Sequence, residues 1–516
     1  MARSLTKAYE RVKNIDWEPT YISASDKYVE PTRFFVPKKA IDPFKTFIRE
    51  YFSMEREKES RHYSLLEAAS RIQTSKPEPR WMEGMKFALS NLSAIEYSAG
   101  RQMGRMARVV APMELRQGYM MQVLDEMRHT QLEMNTLRHH MRSWPDPSGY
   151  DIALKAAGNS VGAGIFRSLS EDFTTCDAVE TSLGLQIFVE TAYSNMFFVG
   201  LSTAAVQSGD PVMASTMLTI QSDESRHMAN GYATLMTLLQ DDRNIPLIQQ
   251  TFDKWSWRGH MGFEVGLSLF ADYFVKHKTD SAKEMSQRWL IEDFYGGFYK
   301  KLEKYGIKEP RWLPDVIRNG EWASHSAALY LFGAWPVFYH RFDPIDEREM
   351  EWFEKKYPGW YSHYGKFWEA YHQMTDADAG LLVTKELGGL PAFCQVCQLP
   401  WIFPRPDAST GCTMQHNGRT IAFCSPACKS IFENDPVHYS GFKSFYDLYD
   451  GWDLADVILE LGYLREDGKT LMAQPVLEPK RMWTVDDIRR CRYEVTSPLR
   501  NVATTPAGGS GNGAAH

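Results

Sequence analysis

Five residues occur twice in this chain in nearly the same order: Asp125-Glu126-Met127-Arg128-His129 and Asp223-Glu224-Ser225-Arg226-His227. Each copy lies in a stretch whose apolar residues recur every three or four positions, the pattern of a helix. On a helix, Glu at i and His at i+3 share a face, so each copy aims one carboxylate and one imidazole at a common point. Two copies offer a pair of such points. A lone Glu-x-x-His arises by chance in a chain this long. Glu369-Ala-Tyr-His372 is read that way, because it lacks the flanking Asp and Arg and has no partner copy.

Glu-x-x-His on two helices, with one further Glu from each of two others, is the ligand pattern of ferritin-like di-metal carboxylate bundles. That pattern predicts two extra acids on apolar helix faces, one upstream of each motif. Glu96 in NLSAIEYSAG and Glu190 in LQIFVETAYSN fit, at spacings of 126 − 96 = 30 and 224 − 190 = 34. A carboxylate buried without a partner is costly, so these acids need a cation. Four carboxylates with two imidazoles suit iron or manganese and leave positions open for O2. Asp125 and Asp223 are placed to accept the second ring N–H of bound imidazoles, and Arg128 and Arg226 to balance the acids.

The rest of the chain supports a mainly α fold. Helices are expected over about 42–70, 80–109, 113–142, 178–206, 210–239 and 250–277, with breakers such as Pro112, Pro145-Asp-Pro and Gly209-Asp-Pro between several of them. Helices this long point to a bundle. The expected organisation is an N-terminal extension over 1–40, a bundle core over 41–300, a helical and aromatic wrapping region over 301–389, a C-terminal module over 390–500 and a disordered tail over 501–516. With 516 residues and 43% hydrophobic content, the chain can bury a large core. A net charge of −7 gives no general attraction to nucleic acid or to an anionic membrane. No stretch approaches the roughly 20 apolar residues of a membrane span, and the start MARSLTKAYERVKNIDWEP lacks a signal-peptide core, so a cytoplasmic location is expected.

Four of the seven cysteines cluster late in the chain as Cys394-Gln-Val-Cys397 and Cys424-Ser-Pro-Ala-Cys428, separated by 424 − 397 = 27 positions. Paired thiolates at this spacing point to a structural zinc site, with Cys412 and His416 between them as substitute ligands. Cys176 and Cys491 show no pairing signal.

At the repeated motifs the sequence resembles the hydroxylase large subunits of the soluble bacterial multicomponent monooxygenases. The likeness extends over most of 40–390, and QSDESRHMANGY, FEKKYPGWY and DLADVILELGYLREDGKTLMAQP look most like the propane-oxidising branch. The resemblance implies a ferritin-like di-iron bundle, with Glu96, Glu126 and His129 on one iron and Glu190, Glu224 and His227 on the other. It implies O2 activation and hydroxylation of small hydrocarbons, including propane-like alkanes, cyclic ethers, ketones or phenol. Electrons would come from NADH through a separate flavin and iron–sulfur reductase, since this chain has no dinucleotide fingerprint and no matching iron–sulfur cysteine set. A small coupling protein and a smaller hydroxylase subunit would complete an α2β2-type assembly.

By position, the resemblance puts Leu92, Leu169, Phe173, Ser194 and Phe198 around the substrate. Two departures stand out. Ser194, followed by Asn195, replaces a Thr implicated in proton delivery, and Glu133 stands where relatives carry Gln or Cys four residues after the first ligand His. A carboxyl at that place would raise polarity or meet a polar substrate. A ferroxidase or a radical-generating reductase subunit shares the ligands, but the first is typically much shorter and the second has an expected docking tail not evident here.

Overall fold

The computed structural model describes residues 30–43, 46–72, 77–143, 164–333, 345–373, 388–401, 410–471 and 482–500. The expected disordered tail, most of the N-terminal extension and the aromatic stretch at 335–344 lie outside them.

Long amphipathic segments become long helices. The first part of the chain gives α1 (Ile48–Ile72), α2 (Pro79–Leu89), α3 (Leu92–Val109), α4 (Met113–Ser143) and α5 (Gly164–Thr175). Next comes α6, which runs through Ala178–Leu185, a π turn Gln186–Thr191, Ala192–Ser194, a second π turn Asn195–Leu201 and Ser202–Gln207. Helix α7 (Pro211–Leu238) follows. Helix α8 begins as Ile245–Gly259 and continues through a π turn His260–Glu264, Val265–Leu269 and a π turn Phe270–Phe274. Helices α3, α4, α6 and α7 pack against one another as a four-helix core; α1 lies on α4 and α7, and α8 lies on α6. Later helices α9 (Leu313–Gly320), α10 (Ala323–Gly333) and α11 (Glu347–Lys356) pack aromatic residues such as Trp322, Phe353 and Trp360 around the end of α8. Among the described residues, no helix is long and apolar enough to cross a membrane.

Local chemistry fixes where these helices begin and break. Helix α7 opens at Asp210, whose carboxylate accepts from the Met213 N–H, with Pro211 in the first turn. The preceding Gly209 has φ +79°, a left-handed turn that lets α6 reverse into α7. The expected helix over 80–109 is two helices. Ser90 Oγ and Asn91 Nδ2 both donate to the Phe87 carbonyl, at 3.0 and 2.7 Å, and these local side-chain bonds compete with helix continuation. Helix α5 was not among the expected helices, and the expected helices over 178–206 and 250–277 are interrupted by π turns. In α6 the Thr191 hydroxyl donates to the Gln186 carbonyl five residues back, at 2.7 Å, which supports the wider turn.

The C-terminal segment forms an antiparallel hairpin of β1 (Cys412–His416) and β2 (Arg419–Phe423), with Cys412 opposite Phe423. Helix α12 (Pro426–Asn434) follows, capped by Ser425. This segment shares the core of the bundle: Cys394, Val396, Phe423 and Phe432 belong to the same buried apolar cluster as Trp255 and Trp257. Polar ties reinforce the junction. Arg258 of α8 pairs with Asp172 of α5 at 2.9 Å, and Asp172 also receives His438 Nε2 at 2.9 Å and the Tyr439 hydroxyl at 3.1 Å.

Asp210 joins three elements, since it caps α7, accepts from Trp81 Nε1 of α2 at 3.0 Å and pairs with His140 of α4 at 2.9 Å. Asp210→Ala removes all three bonds from a buried position and is expected to cost about 3 kcal/mol. A lowered thermal unfolding midpoint with retained helical circular dichroism checks this.

Candidate metal centre

The two repeated motifs meet inside the bundle. Glu126 and His129 project from α4, Glu224 and His227 from α7, Glu96 from α3, and Glu190 from the first π turn of α6. His129 Nδ1 lies 3.4 Å from oxygens of both Glu96 and Glu126, and 3.7 Å from Glu224. His227 Nδ1 lies 3.1 Å from Glu224, 3.5 Å from Glu190 and 3.7 Å from Glu126. Two clusters of potential ligands result, Glu96/Glu126/His129 and Glu126/Glu190/His227. Glu126 and Glu224 each approach both imidazoles, so they stand between the two points, with Glu96 and Glu190 outside.

Helix spacing permits this convergence. A Cβ at Gly100 of α3 would sit 2.4 Å from Met127 Cε and 3.1 Å from Glu126 Cβ, so a larger residue there would make Met127 move and press on Glu126. Two glutamines hold the carboxylates. Gln122 donates to Glu126 at 3.0 Å and to Glu190 at 2.9 Å, while Gln186 donates to Gln122 at 2.8 Å and to the His227 carbonyl at 3.2 Å. The signal that would have revealed them lies in the sequence: each glutamine precedes a converging glutamate by four residues, Gln122 before Glu126 and Gln186 before Glu190.

The aspartates of the motifs cross over. Asp223 of α7 meets His129 Nε2 of α4 at 3.0 Å, and Asp125 of α4 meets His227 Nε2 of α7 at 3.1 Å. Each motif orients the imidazole of the other helix. Behind them, Arg128 and Arg226 bind both aspartates and Glu55 of α1, and Lys58 pairs with Asp223 and Glu55. The Tyr51 hydroxyl donates to Asp125 at 2.9 Å. Three acids here (Glu55, Asp125, Asp223) face three cations (Lys58, Arg128, Arg226), so this layer balances itself apart from Glu59 at its solvent edge. Sequence reasoning missed Glu55, Lys58 and Tyr51, because α1 carries no copy of the motif.

The inner shell has no such balance. If both Nε2–H groups are donated to aspartates, neutral imidazoles turn the lone pairs of Nδ1 toward four carboxylates, which also carry only lone pairs. Burial alone would lower the imidazole pKa, but the Asp223 hydrogen bond and the nearby Glu126 and Glu96 carboxylates at His129, and the Glu224 and Glu190 charges around His227, push both well above the ordinary range. Burial and the Glu224 charge likewise push Glu190 up to about 7, and burial raises Glu126 well above the usual carboxylate range. One Glu190 oxygen and His129 Nδ1 have no hydrogen-bond partner. The cluster demands positive charge at its centre, and two divalent cations would match four carboxylates. The donor set therefore fits a di-metal group.

A cavity of about 60 Å³ adjoins the carboxylates. Glu96, Glu126, Glu190 and Glu224 form one wall; Leu92, Ile95, Val189, Phe197, Phe198 and Phe263 make much of the apolar remainder, with Tyr193 and Ser194. Leu92, Ser194 and Phe198, which the resemblance puts around the substrate, line this cavity. Leu169 and Phe173 do not line it: both are wholly buried in α5, where Phe173 stacks on Trp255 at 5.6 Å. Asn195 is exposed at the start of the second π turn, so one step around α6 carries it out of the cavity that Ser194 lines. Glu133 is also outside the lining. It is buried with neither oxygen hydrogen-bonded, and burial followed by the Glu96 charge pushes its pKa well above the usual range.

The four late cysteines converge. Their sulfurs lie within 4.8 Å of one another, with Cys397 to Cys424 at 3.8 Å and Cys424 to Cys428 at 3.5 Å, and Trp257 Nε1 donates to Cys428 Sγ at 3.1 Å. Cys412 stays at the hairpin edge and His416 packs on Phe432, so neither joins them.

Asp125 supplies a pH test. Burial opposes its charge, but the His227 hydrogen bond and the charges of His227 and Arg226 outweigh burial and hold its pKa at about 2, below the ordinary 3.8. A depressed pKa contributes stability fully above the unfolded value and loses it as pH falls through the folded value. Asp125→Asn is expected to be less stable than wild type above pH 3.8, with the gap closing toward about pH 2. Thermal melts of the metal-free protein across that range check the sign.

Comparison with known proteins bears on the whole chain. The family model for methane/phenol/alkene hydroxylases matches residues 17–242, which hold both motifs. The large subunit of the propane 2-monooxygenase hydroxylase component of Mycolicibacterium smegmatis is 34% identical, over 97% of this chain and 96% of its own length. The methane monooxygenase component A alpha chain of Methylococcus capsulatus (strain Bath) is 32% identical over 91% of this chain and 90% of its own. The structure of phenol hydroxylase from Pseudomonas sp. OX1 superposes with a TM-score of 0.78 at 24% identity, over 89% of this chain and 94% of that one, and shares the fold. With identity above 30% along nearly its full length, this chain belongs to the methane/phenol/alkene hydroxylase family, among its hydroxylase large subunits.

Proposed function

We propose that this chain is the catalytic subunit of an NADH-dependent multicomponent monooxygenase that hydroxylates small hydrocarbons, with propane-like alkanes as the leading class. The observation that carries the reading is the buried, uncompensated group of four carboxylates and two imidazole Nδ1 atoms opening onto an apolar cavity. Glu96, Glu126, His129, Glu190, Glu224 and His227 would hold two irons, with Glu126 and Glu224 between them. The iron pair, when bound, supplies the reduction of O2 and the oxidation of a C–H bond.

The residues of the chain prepare the site for that chemistry. Asp223 and Asp125 keep the proton on Nε2 of His129 and His227, leaving each Nδ1 free to bind metal. Gln122 restrains Glu126 and Glu190 from one side. Leu92, Phe197, Phe198 and Phe263 exclude water and accept an apolar substrate. Ser194 brings a hydroxyl to the cavity wall, where it can hand a proton to a reacting group; Asn195, on the outside of α6, is placed to relay protons from solvent. Glu133, buried with its pKa pushed up, adds a polar carboxyl behind the cavity lining without taking part in metal binding.

Four thiolates around zinc at a Zn–S distance of about 2.3 Å stand about 3.8 Å apart in a tetrahedron. The 3.8 and 3.5 Å sulfur separations are close to that, which supports a structural zinc on Cys394, Cys397, Cys424 and Cys428. The named relatives are a hydroxylase component large subunit and a component A alpha chain; this large subunit would work with a smaller hydroxylase subunit, a flavin and iron–sulfur reductase and a small coupling protein, in the cytoplasm, with no nucleic acid or membrane partner. Its domains would be those expected from the sequence, with the module over 390–500 built around zinc.

Metal analysis and Mössbauer spectroscopy of the purified hydroxylase complex test both sites. Wild type is expected to hold two antiferromagnetically coupled irons per chain and one zinc; Glu224→Ala loses the coupled pair and keeps zinc, and Cys428→Ser does the reverse. With reductase, coupling protein and NADH added, propane is expected to yield an alcohol. A wild type without a coupled pair under iron-replete expression would refute the monooxygenase reading.

A further inference from the structure

Two buried amides, Gln122 of α4 and Gln186 of α6, stand between the glutamates and the rest of the bundle, and neither is free to face either way. The His227 carbonyl can only accept a hydrogen bond, so the Gln186 atom that meets it at 3.2 Å is Nε2. The second N–H of that nitrogen goes to Gln122 Oε1 at 2.8 Å. With its oxygen so occupied, Gln122 turns its NH2 to the cluster. Both N–H bonds are used there, on Glu126 Oε1 at 3.0 Å and Glu190 Oε1 at 2.9 Å. A backbone carbonyl of α7 thus decides which end of a side chain on α4 faces the carboxylates.

The far end of Gln186 is fixed as well. Its Oε1 lies 3.0 Å from Ser182 Oγ and 3.2 Å from the Tyr119 hydroxyl. Thr234 donates its one hydroxyl proton to the Asn230 carbonyl at 2.9 Å, so at 2.7 Å it accepts from Tyr119, which leaves Ser182 as the donor to Gln186. Tyr119, Ser182 and Thr234 are all buried. Space for the amide comes from α7. A Cβ at Gly231 would sit 2.4 Å from Gln186 Cβ and 2.9 Å from its Oε1, so any larger residue there would make Gln186 move.

Amides that served only to pack α4 against α6 could point in either direction. Here, reversing Gln186 would set its oxygen against the His227 carbonyl, and reversing Gln122 would set an oxygen against two glutamates. Both are contacts between acceptors in a dry core. The donors therefore run one way, toward Glu126 and Glu190. Among the described residues no amide reaches Glu96 or Glu224, which meet the imidazoles instead. A donor on a ligand carboxylate draws off part of its negative charge, and that favours the less positive state of a bound metal.

We propose that Gln186 is a positioning residue that holds the NH2 of Gln122 on Glu126 and Glu190 and thereby raises the reduction potential of the iron pair. This rests on the di-iron reading above. Gln186 donates to neither carboxylate and acts through Gln122. Without Gln186, the Gln122 oxygen is buried with no donor, and the amide turns to satisfy it at the expense of its bonds to the glutamates. Glu126 and Glu190 then keep more of their negative charge, and the oxidised pair gains stability relative to the reduced one.

The test uses the iron-loaded hydroxylase complex, poised at a series of potentials with dithionite and mediators, with the oxidised fraction read from Mössbauer spectra. Gln122→Leu is expected to lower the midpoint potential, and Gln186→Leu to lower it in the same direction by a smaller shift, each with two coupled irons retained. In the double variant the shift equals that of Gln122→Leu alone, because the two residues act in series. Thr136→Val is the packing control. It removes a buried hydroxyl bond between α4 and α7, Thr136 to Thr216 at 2.7 Å, away from the amides, and leaves the potential unchanged. If Gln186→Leu does not fold, Gly231→Ala takes its place, since it displaces Gln186 and removes no hydrogen-bonding group. A wild-type potential in the Gln186→Leu or Gly231→Ala complex, shifts that add in the double variant, or an equal shift in Thr136→Val overturns this inference alone. Absence of a coupled pair in wild type overturns the di-iron reading and this inference with it.

Discussion

Charge neutrality in a dry interior is the constraint on which the rest of the bundle depends. Four carboxylates converge between α3, α4, α6 and α7 with no arginine or lysine among them. Among the described residues, Lys58, Arg128 and Arg226 are engaged one layer further out, with Glu55, Asp125 and Asp223. That outer layer does two things at once. It turns the imidazoles so that each Nδ1 faces inward, and it holds Lys58, Arg128 and Arg226 away from the inner carboxylates. The demand for a cation here follows as much from what is withheld from the carboxylates as from where they point.

The crossed aspartates explain why the five-residue motif occurs twice. Within one helix, Asp125 precedes His129 by four residues, a spacing at which it could have served its own histidine. It serves His227 instead, and Asp223 serves His129. Each motif is incomplete without the other, so any slip of α4 along α7 would unpair two imidazoles and two aspartates together. The repeat thus encodes helix register as well as the convergence of carboxylates and imidazoles.

Much of this could be read from residue spacing. The inward convergence of Glu96, Glu126, His129, Glu190, Glu224 and His227 follows from helical periodicity, and the four-cysteine cluster from paired spacing. What escaped was information carried by geometry between elements. Leu169 and Phe173 look like any apolar helix positions until packing assigns them to Trp255. Ser194 and Asn195 are neighbours in sequence, yet a helix turns by about 100° between them, and they finish on opposite sides of the cavity wall. The break at Ser90–Asn91 depends on two side-chain bonds to one carbonyl, a competition that periodicity does not register. The π turns widen α6 at the positions that carry Glu190 and Phe198, and a pattern search with a period of 3.6 residues passes over them.

The junction between the cysteine-bearing segment and the bundle bears on how the chain is made. Asp172 emerges early in synthesis, but its partner His438 follows 266 residues later, and the Trp257 indole waits 171 residues for Cys428. Until the last fifth of the chain leaves the ribosome, α5 and α8 present a buried-type arginine, an aspartate and a tryptophan to water. Contacts this distant in sequence form late. Completion of the fold is therefore tied to capture of the second cysteine pair, and a chain truncated before Cys424 would keep its converging glutamates and histidines while leaving the outer faces of α5 and α8 unsealed.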